Sequence, residues 1–390
     1  MSKQHDQFAA RRRGPLAAAV ALVLAASASA GPNEQAKRIF DRIAGVPPTA
    51  NELATMAGDI QGGNPMAAAQ VALDAPQFYN VTLKNMVTPW TNRDQTVFAP
   101  LNDYTATVIG MVRDDLPFNT ALSADILYTS SAPGLPAPSP ANNDHYAQAE
   151  ANNVDLKANL VQTTQSGVYG IPPAATAGLL TTRGAASAFF INGTNRAMFR
   201  FTLMAHFCRD MEQVQDTSRP PDRIRQDVAR SPGGDSRIYL NNCVGCHSGM
   251  DPMAQAFAYY NFDTTAGALV YTAGAVQAKY HINSANFPQG FVTPDDAWEN
   301  RWRQGPNSVL GFDPSLPGAG NGAKTLGQEL AGSDAFAACQ VQKVFQAVCF
   351  RSPGNAADRN AVATIKASFK GNGYKLKQVF VDTALYCKGQ

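Results

Sequence analysis

The chain has 390 residues, 45% of them hydrophobic, with 32 Lys and Arg against 30 Asp and Glu. Residues 1–30 carry four of the basic and one of the acidic side chains, which leaves 28 against 29 beyond them and a formal charge of −1. Neither nucleic acid nor an acidic membrane surface is implied as a partner, and the remaining length allows two or three domains.

The first segment, 1–30, reads as a signal peptide. Arg11, Arg12 and Arg13 form a positive start, Leu16 to Ala26 an apolar run, and Ala28-Ser29-Ala30 a small-x-small cleavage site. The run is short for a bilayer span, and no Cys follows it to carry a lipid. The expectation is a periplasmic or secreted bacterial protein with no transmembrane segment after cleavage.

From 31 to 129 the pattern is that of a helical domain. Ile39, Phe40, Ile43 and Ala44 mark one helix face, stopped by Gly45-Val46-Pro47-Pro48, and Thr49 to Glu52 spells a capping box. A helix follows Asn64-Pro65, another covers Phe78 to Val87, and Tyr104–Val112 and Ala121–Tyr128 read as shorter ones. Residues 130–181 change character: Pro-rich to Pro140, then rich in Asn and Gln, they read as a linker or long loop with His145 exposed to solvent. Residues 182–234 read as a helical segment leading into the last domain, strongest over Asn195–Val214.

Residues 235–390 form the last domain. Asp235 or Ser236 caps a helix carrying Arg237 to His247. Residues 258–321, rich in aromatics, Asn, Gly and Pro, read as a loop-rich insertion with a small hairpin and a short helix, Asp295–Arg303, placing Trp298 and Trp302 on one side. Ser333-Asp334 then caps Ala335–Phe350, Asp358–Phe369 follows, and Leu376 to Cys387 shows an i, i+3, i+4, i+7 stripe.

On the helix of this domain lies Cys243-Val244-Gly245-Cys246-His247, a Cys-x-x-Cys-His sequence. That spacing suits two thioethers to the vinyl groups of one porphyrin, with His247 as the axial iron ligand. The expected cofactor is haem c, covalently attached, one per chain. The second nitrogen of His247 is expected to donate to a backbone carbonyl, with Gly249 and Pro252 letting the backbone run close to the haem. Zinc would need two more soft ligands at suitable spacing, and no second Cys-x-x-Cys or His pair supplies them.

The other four cysteines, Cys208, Cys339, Cys349 and Cys387, suggest two disulfides in an exported chain. Cys339 and Cys349 are ten helical residues apart, about 15 Å, beyond the roughly 7 Å a disulfide spans. Each therefore pairs with Cys208 or Cys387.

The run from Cys243 through Met250-Asp251-Pro252 to Met253, with Asn261-Phe262-Asp263, resembles the exported cytochrome-c-like proteins best known from planctomycetes. Arg38-Ile39-Phe40, Gly45 to Thr49 and Asp115 to Phe118 are similar to modules accompanying that haem domain. The resemblance implies a mainly α fold, an N-terminal helical region plus a C-terminal cytochrome-c-like haem domain. It also implies that the motif helix crosses the last helix, with Tyr239, Phe380 and Tyr386 as contacts. It implies haem c and export, and no substrate.

For the distal side of the iron the candidates are His206, His281 and Met204, or an open position; Met250 and Met253 lie too near His247. The leading expectation is a monohaem c-type cytochrome that exchanges one electron with a redox partner protein or larger electron-transfer assembly. Alternatives are a peroxidase- or oxygenase-like haem enzyme, with Arg196 or Arg200 near an open iron, and a scaffold in which haem is structural.

Overall fold

A computed structural model describes residues 30–389; apart from Ala30, the expected signal peptide lies outside the described residues. The fold is mainly helical. Helices α1 (Pro32–Ala44), α2 (Ala50–Gln61) and α3 (Pro65–Asp74) pack on one another. Their ends are the ones the sequence spells: Gly45 closes α1 at φ 75°, Thr49 and Glu52 make the reciprocal capping box, and Asn64 accepts from the Ala67 amide. A π-helical turn, Phe78–Leu83, runs into α4 (Lys84–Val87), and α5 (Asp103–Arg113) is buried along almost its whole length.

The next stretch departs from expectation. Ala121–Tyr128 is no helix; turns lead into β1 (Leu127–Ser130), which pairs antiparallel with β2 (Leu160–Thr163). Between and after these strands lie α6 (Asp144–Ala151), α7 (Leu156–Asn159) and α8 (Gln165–Tyr169). Residues 130–181 therefore contribute helices, a strand and side chains to the core. His145 is buried, not exposed: its Nε2 accepts from the Ser130 amide at 2.9 Å and its Nδ1 donates to the Pro136 carbonyl at 2.7 Å. Glu150 adds an ion pair with Lys84 and accepts from the Leu101 amide.

Two helices, α9 (Arg183–Phe189) and α10 (Arg196–His206), follow. The helix expected to run to Val214 stops at His206, because Cys208 turns into the left-handed region at φ 52°; Met211–Val214 is a separate 3-10 turn. Then α11 (Ser236–Ile238), a π-helical turn (Tyr239–Cys243) and α12 (Val244–Ala254) run on without a break, capped by Asp235. The motif helix thus continues well past His247.

The hairpin expected after residue 258 is present as β3 (Tyr260–Asp263) and β4 (Ala268–Tyr271). Asp295–Arg303 is not a helix: β5 (Ala297–Glu299) pairs with β6 (Ala319–Asn321), and a 3-10 turn, Arg301–Arg303, follows. The chain closes with α13 (Gly322–Ala331), α14 (Asp334–Cys349), α15 (Ala356–Gly371) and α16 (Leu376–Cys387).

Bridges join Cys208 to Cys339 and Cys349 to Cys387, with Cα atoms 5.2 and 5.7 Å apart. The excluded Cys339–Cys349 pairing is absent. The expected crossing of the motif helix on the last helix is not made through the aromatics assigned to it. Tyr239 packs with Ile224 and Val244, Phe380 meets Phe78, and Tyr386 meets Phe345. The reason is that α16 is taken up by α1, α3, α14 and α15. One apolar core runs from α1 to α16. Among the described residues no helix is long and apolar enough to cross a membrane.

Candidate functional site

The site is built on α12, which rests on α10, β5 and the 3-10 turns at 211–214 and 301–303. Its inner side carries Ser248, Asp251, Met253 and Ala254, all buried. Its other side carries Cys246 and His247, and the preceding π-turn carries Cys243, all three half-buried, and Leu240, which stands 57% exposed. Cys243 closes the π-turn and His247 follows four residues later on α12, so a thiol and an imidazole come one turn apart along the helix.

Gly249 is where this helix comes closest to its support. A Cβ there would lie 2.0 Å from Nε1 of Trp302, itself fully buried. Gly249 thus serves the packing of α12 on an indole, rather than the backbone approach to a haem assigned to it from sequence. Gly249→Ala is expected to cost about 1–3 kcal/mol through overpacking, read as a lowered midpoint in urea; a midpoint equal to wild type would show that the indole moves aside freely.

Cys243 and Cys246 are free thiols while the other four cysteines are bridged. Burial pushes the Cys246 thiol above its ordinary range. The imidazole of His247 bonds through Nδ1, and its partner differs from the backbone carbonyl expected. Both oxygens of Asp251, four residues on, lie 3.2 Å from Nδ1.

Asp251 sits at the centre of a buried charge cluster. Arg196 donates to it from Nε at 2.7 Å and Nη2 at 2.8 Å, and turns its other edge to Asp227 at 2.5 and 2.9 Å. Arg225, 1% exposed, stands 3.8 Å from Asp251, donates to the Thr194 hydroxyl and lies over the Tyr280 ring. Burial alone would raise the Asp251 carboxyl; Arg196 and Arg225 outweigh it and hold it well below the usual carboxylate range. Asp227 is lowered by Arg196 in the same way against its own burial. Two guanidinium and two carboxylate groups make the cluster neutral.

The distal candidates are scattered. His206 lies in the core at 1% exposure, between Trp90, Tyr104 and Phe336. Both its ring nitrogens are engaged, Nε2 with the Tyr104 hydroxyl at 2.8 Å and Nδ1 with the Gln340 amide at 3.3 Å. Its role is packing, and it has no lone pair free for iron. Met204 lines a separate cavity of about 360 Å³ with Trp90, Phe201 and Lys343. His281 is exposed at the end of the 3-10 turn Ala278–His281, whose Tyr280 is buried. Arg196 is consumed by its two carboxylates, and Arg200 pairs with Asp210. Sequence reasoning missed Asp251 as a partner of His247; the signal was the i, i+4 spacing on one helix, which brings an imidazole and a carboxylate together.

Burial, with Lys343 second, depresses the His206 pKa to about 3. The folded value lies below the unfolded one near 6.5, so the neutral ring's stabilisation is complete above pH 6.5 and is lost as pH falls toward 3. The loss is about 1.4 kcal/mol per pH unit between those values. The stability difference between wild type and His206→Gln is expected to shrink by that amount per unit from pH 6.5 to 4.5; a difference constant over this range would assign the acid sensitivity elsewhere.

No family model, no curated protein and no solved structure matches the chain.

Proposed function

We propose that this chain holds one covalent haem c and serves outside the cytoplasm as a one-electron carrier for a redox partner protein or larger electron-transfer assembly. The observation that carries the reading is the sorting of the six cysteines. Four are bridged, and the two that stay thiols are the two of Cys-x-x-Cys-His, on a half-exposed helical face.

Cys243 and Cys246 would each add S–H across a vinyl double bond, forming one C–S and one C–H bond with nothing released. His247 would bind iron through Nε2, since Nδ1 is turned to Asp251. When bound, the haem supplies a one-electron couple at its iron. Leu240, exposed three residues before Cys243, offers apolar cover. The donor set fits the group.

Two residues of the run that resembles exported cytochrome-c-like proteins have local roles in the fold. Asp251 of Met-Asp-Pro partners His247, and Asp263 of Asn-Phe-Asp accepts from the Thr265 and Ala266 amides to turn the β3–β4 hairpin. The likeness lies in the attachment chemistry, since the crossing of the motif helix and the last helix is not made through the aromatics assigned to it. Disulfides suit the oxidising compartment that periplasmic or secreted placement implies.

A second reading draws on His206. With that ring committed to the core, the distal side falls to His281 or stands open, and an open iron position favours a peroxidase- or oxygenase-like enzyme. Protein made in a host competent for cytochrome c maturation is expected to carry haem in its intact mass. A low-spin spectrum indifferent to carbon monoxide and cyanide is expected for the carrier, and a high-spin spectrum that shifts with either ligand supports the enzyme. An intact mass equal to the bare polypeptide would end both readings.

A further inference from the structure

Asp251 does more than neutralise two arginines. Nδ1 of His247 faces away from an iron bound at Nε2, and that is the nitrogen against which both carboxylate oxygens lie, at 3.2 Å. The carboxylate is not free to swing off. Arg196 grips it through two parallel N–H donors and is itself anchored by Asp227 on its other edge. Arg225 stands on the same carboxylate, fixed in turn by Thr194 and the Tyr280 ring. The side chain of Asp251 has no exposure to water, so its counter-ions are Arg196 and Arg225 rather than solvent, and both are held in place.

We propose that Asp251 is the positioning residue of the iron-binding imidazole: it fixes the His247 ring by accepting the Nδ1 hydrogen bond and, through the ionised oxygens it sets against Nδ1, makes Nε2 a stronger donor that favours oxidised over reduced iron. A neutral backbone carbonyl in the same place would only orient the ring. The carboxylate orients it and is also the stronger acceptor, because its oxygens are ionised. This inference rests on the haem reading above.

The test compares the full chain, matured with its haem, as wild type, Asp251→Asn and Asp227→Asn. Covalent haem content comes from intact mass, and the oxidised-to-reduced ratio from spectroelectrochemical titration. Haem content is expected to be equal in all three. Asp251→Asn is expected to shift the equilibrium toward the reduced form about tenfold, a rise of about 59 mV for a one-electron couple. Asp227→Asn, which removes a carboxylate from the same arginine but touches no atom of His247, is expected to shift it clearly less. Equal shifts in the two variants, or none in Asp251→Asn, overturn the inference and leave the haem reading standing. A wild type without covalent haem overturns both. A second measurement needs no variant: in proton spectra of the reduced wild type, the His247 Nδ1 proton is expected to exchange slowly with water, and rapid exchange overturns the inference even where Asp251→Asn does not fold.

Discussion

Replacing Arg196 with Met is expected to destabilise the folded chain by about 3–5 kcal/mol, the cost of stripping buried carboxylates of their counter-ion. Asp251 has no exposed side-chain surface and Asp227 only 9%, and Arg196 makes two hydrogen bonds to each. Methionine fills most of the volume, so the loss measures charge and hydrogen bonding rather than a cavity. Arg225 remains 3.8 Å from Asp251 but makes no hydrogen bond to it that could take over. In urea the midpoint should fall with the slope unchanged. Adding Asp251→Asn to the Met variant should recover part of the loss, since the unpaired charge is then gone. A loss below 1 kcal/mol would mean that water enters the cluster and solvates the orphaned carboxylates.

Exchanging both Cys208 and Cys339 for Ser is expected to cost about 5 kcal/mol on chain entropy alone, from a bridge with a sequence separation of 131 residues. That lies at the upper end of the range for native bridges. The bridge also pins the turn after α10, where Cys208 takes a φ of 52° that a residue with a Cβ rarely adopts. The companion exchange at Cys349 and Cys387, with a separation of 38 residues, should cost about 1 kcal/mol less. Chemical unfolding of the two double variants orders them directly. Equal midpoints for both variants and wild type would show that the unfolded chain is already compact around these positions.

Local chemistry in the sequence carried the helices far and the non-local pairings hardly at all. The box at Thr49, the Ser333 cap of α14 and the stripe of α16 depend on neighbours within one or two turns, and each is found where its residues place it. Leu127–Ser130 and Ala297–Glu299 are strands only because partners 30 and 20 or more positions away reach them, at Leu160–Thr163 and Ala319–Asn321. The polar stretch 130–181 reads as loop for the same reason. What orders it is His145 tying Pro136 to Ser130, Tyr146 donating to the Tyr128 carbonyl, and Glu150 reaching Lys84 and Leu101. At the candidate site the three motif residues were legible because their spacing is itself the chemistry. The Arg196–Asp227–Asp251 cluster was not, since its members span 55 residues and only folding assembles them.

The two bridges both involve α14, one at Cys339 and one at Cys349, so this single helix is riveted to α16 at its C-terminal end and to the turn after α10 partway along. A chain that emerges with six sulfhydryls must oxidise four and spare two. Shielding of the Cys246 sulfur lowers its thiolate fraction and slows its attack on any passing disulfide. Correct sorting is thereby favoured kinetically once α12 has docked, and a chain whose α12 docks late is the one in danger of scrambling.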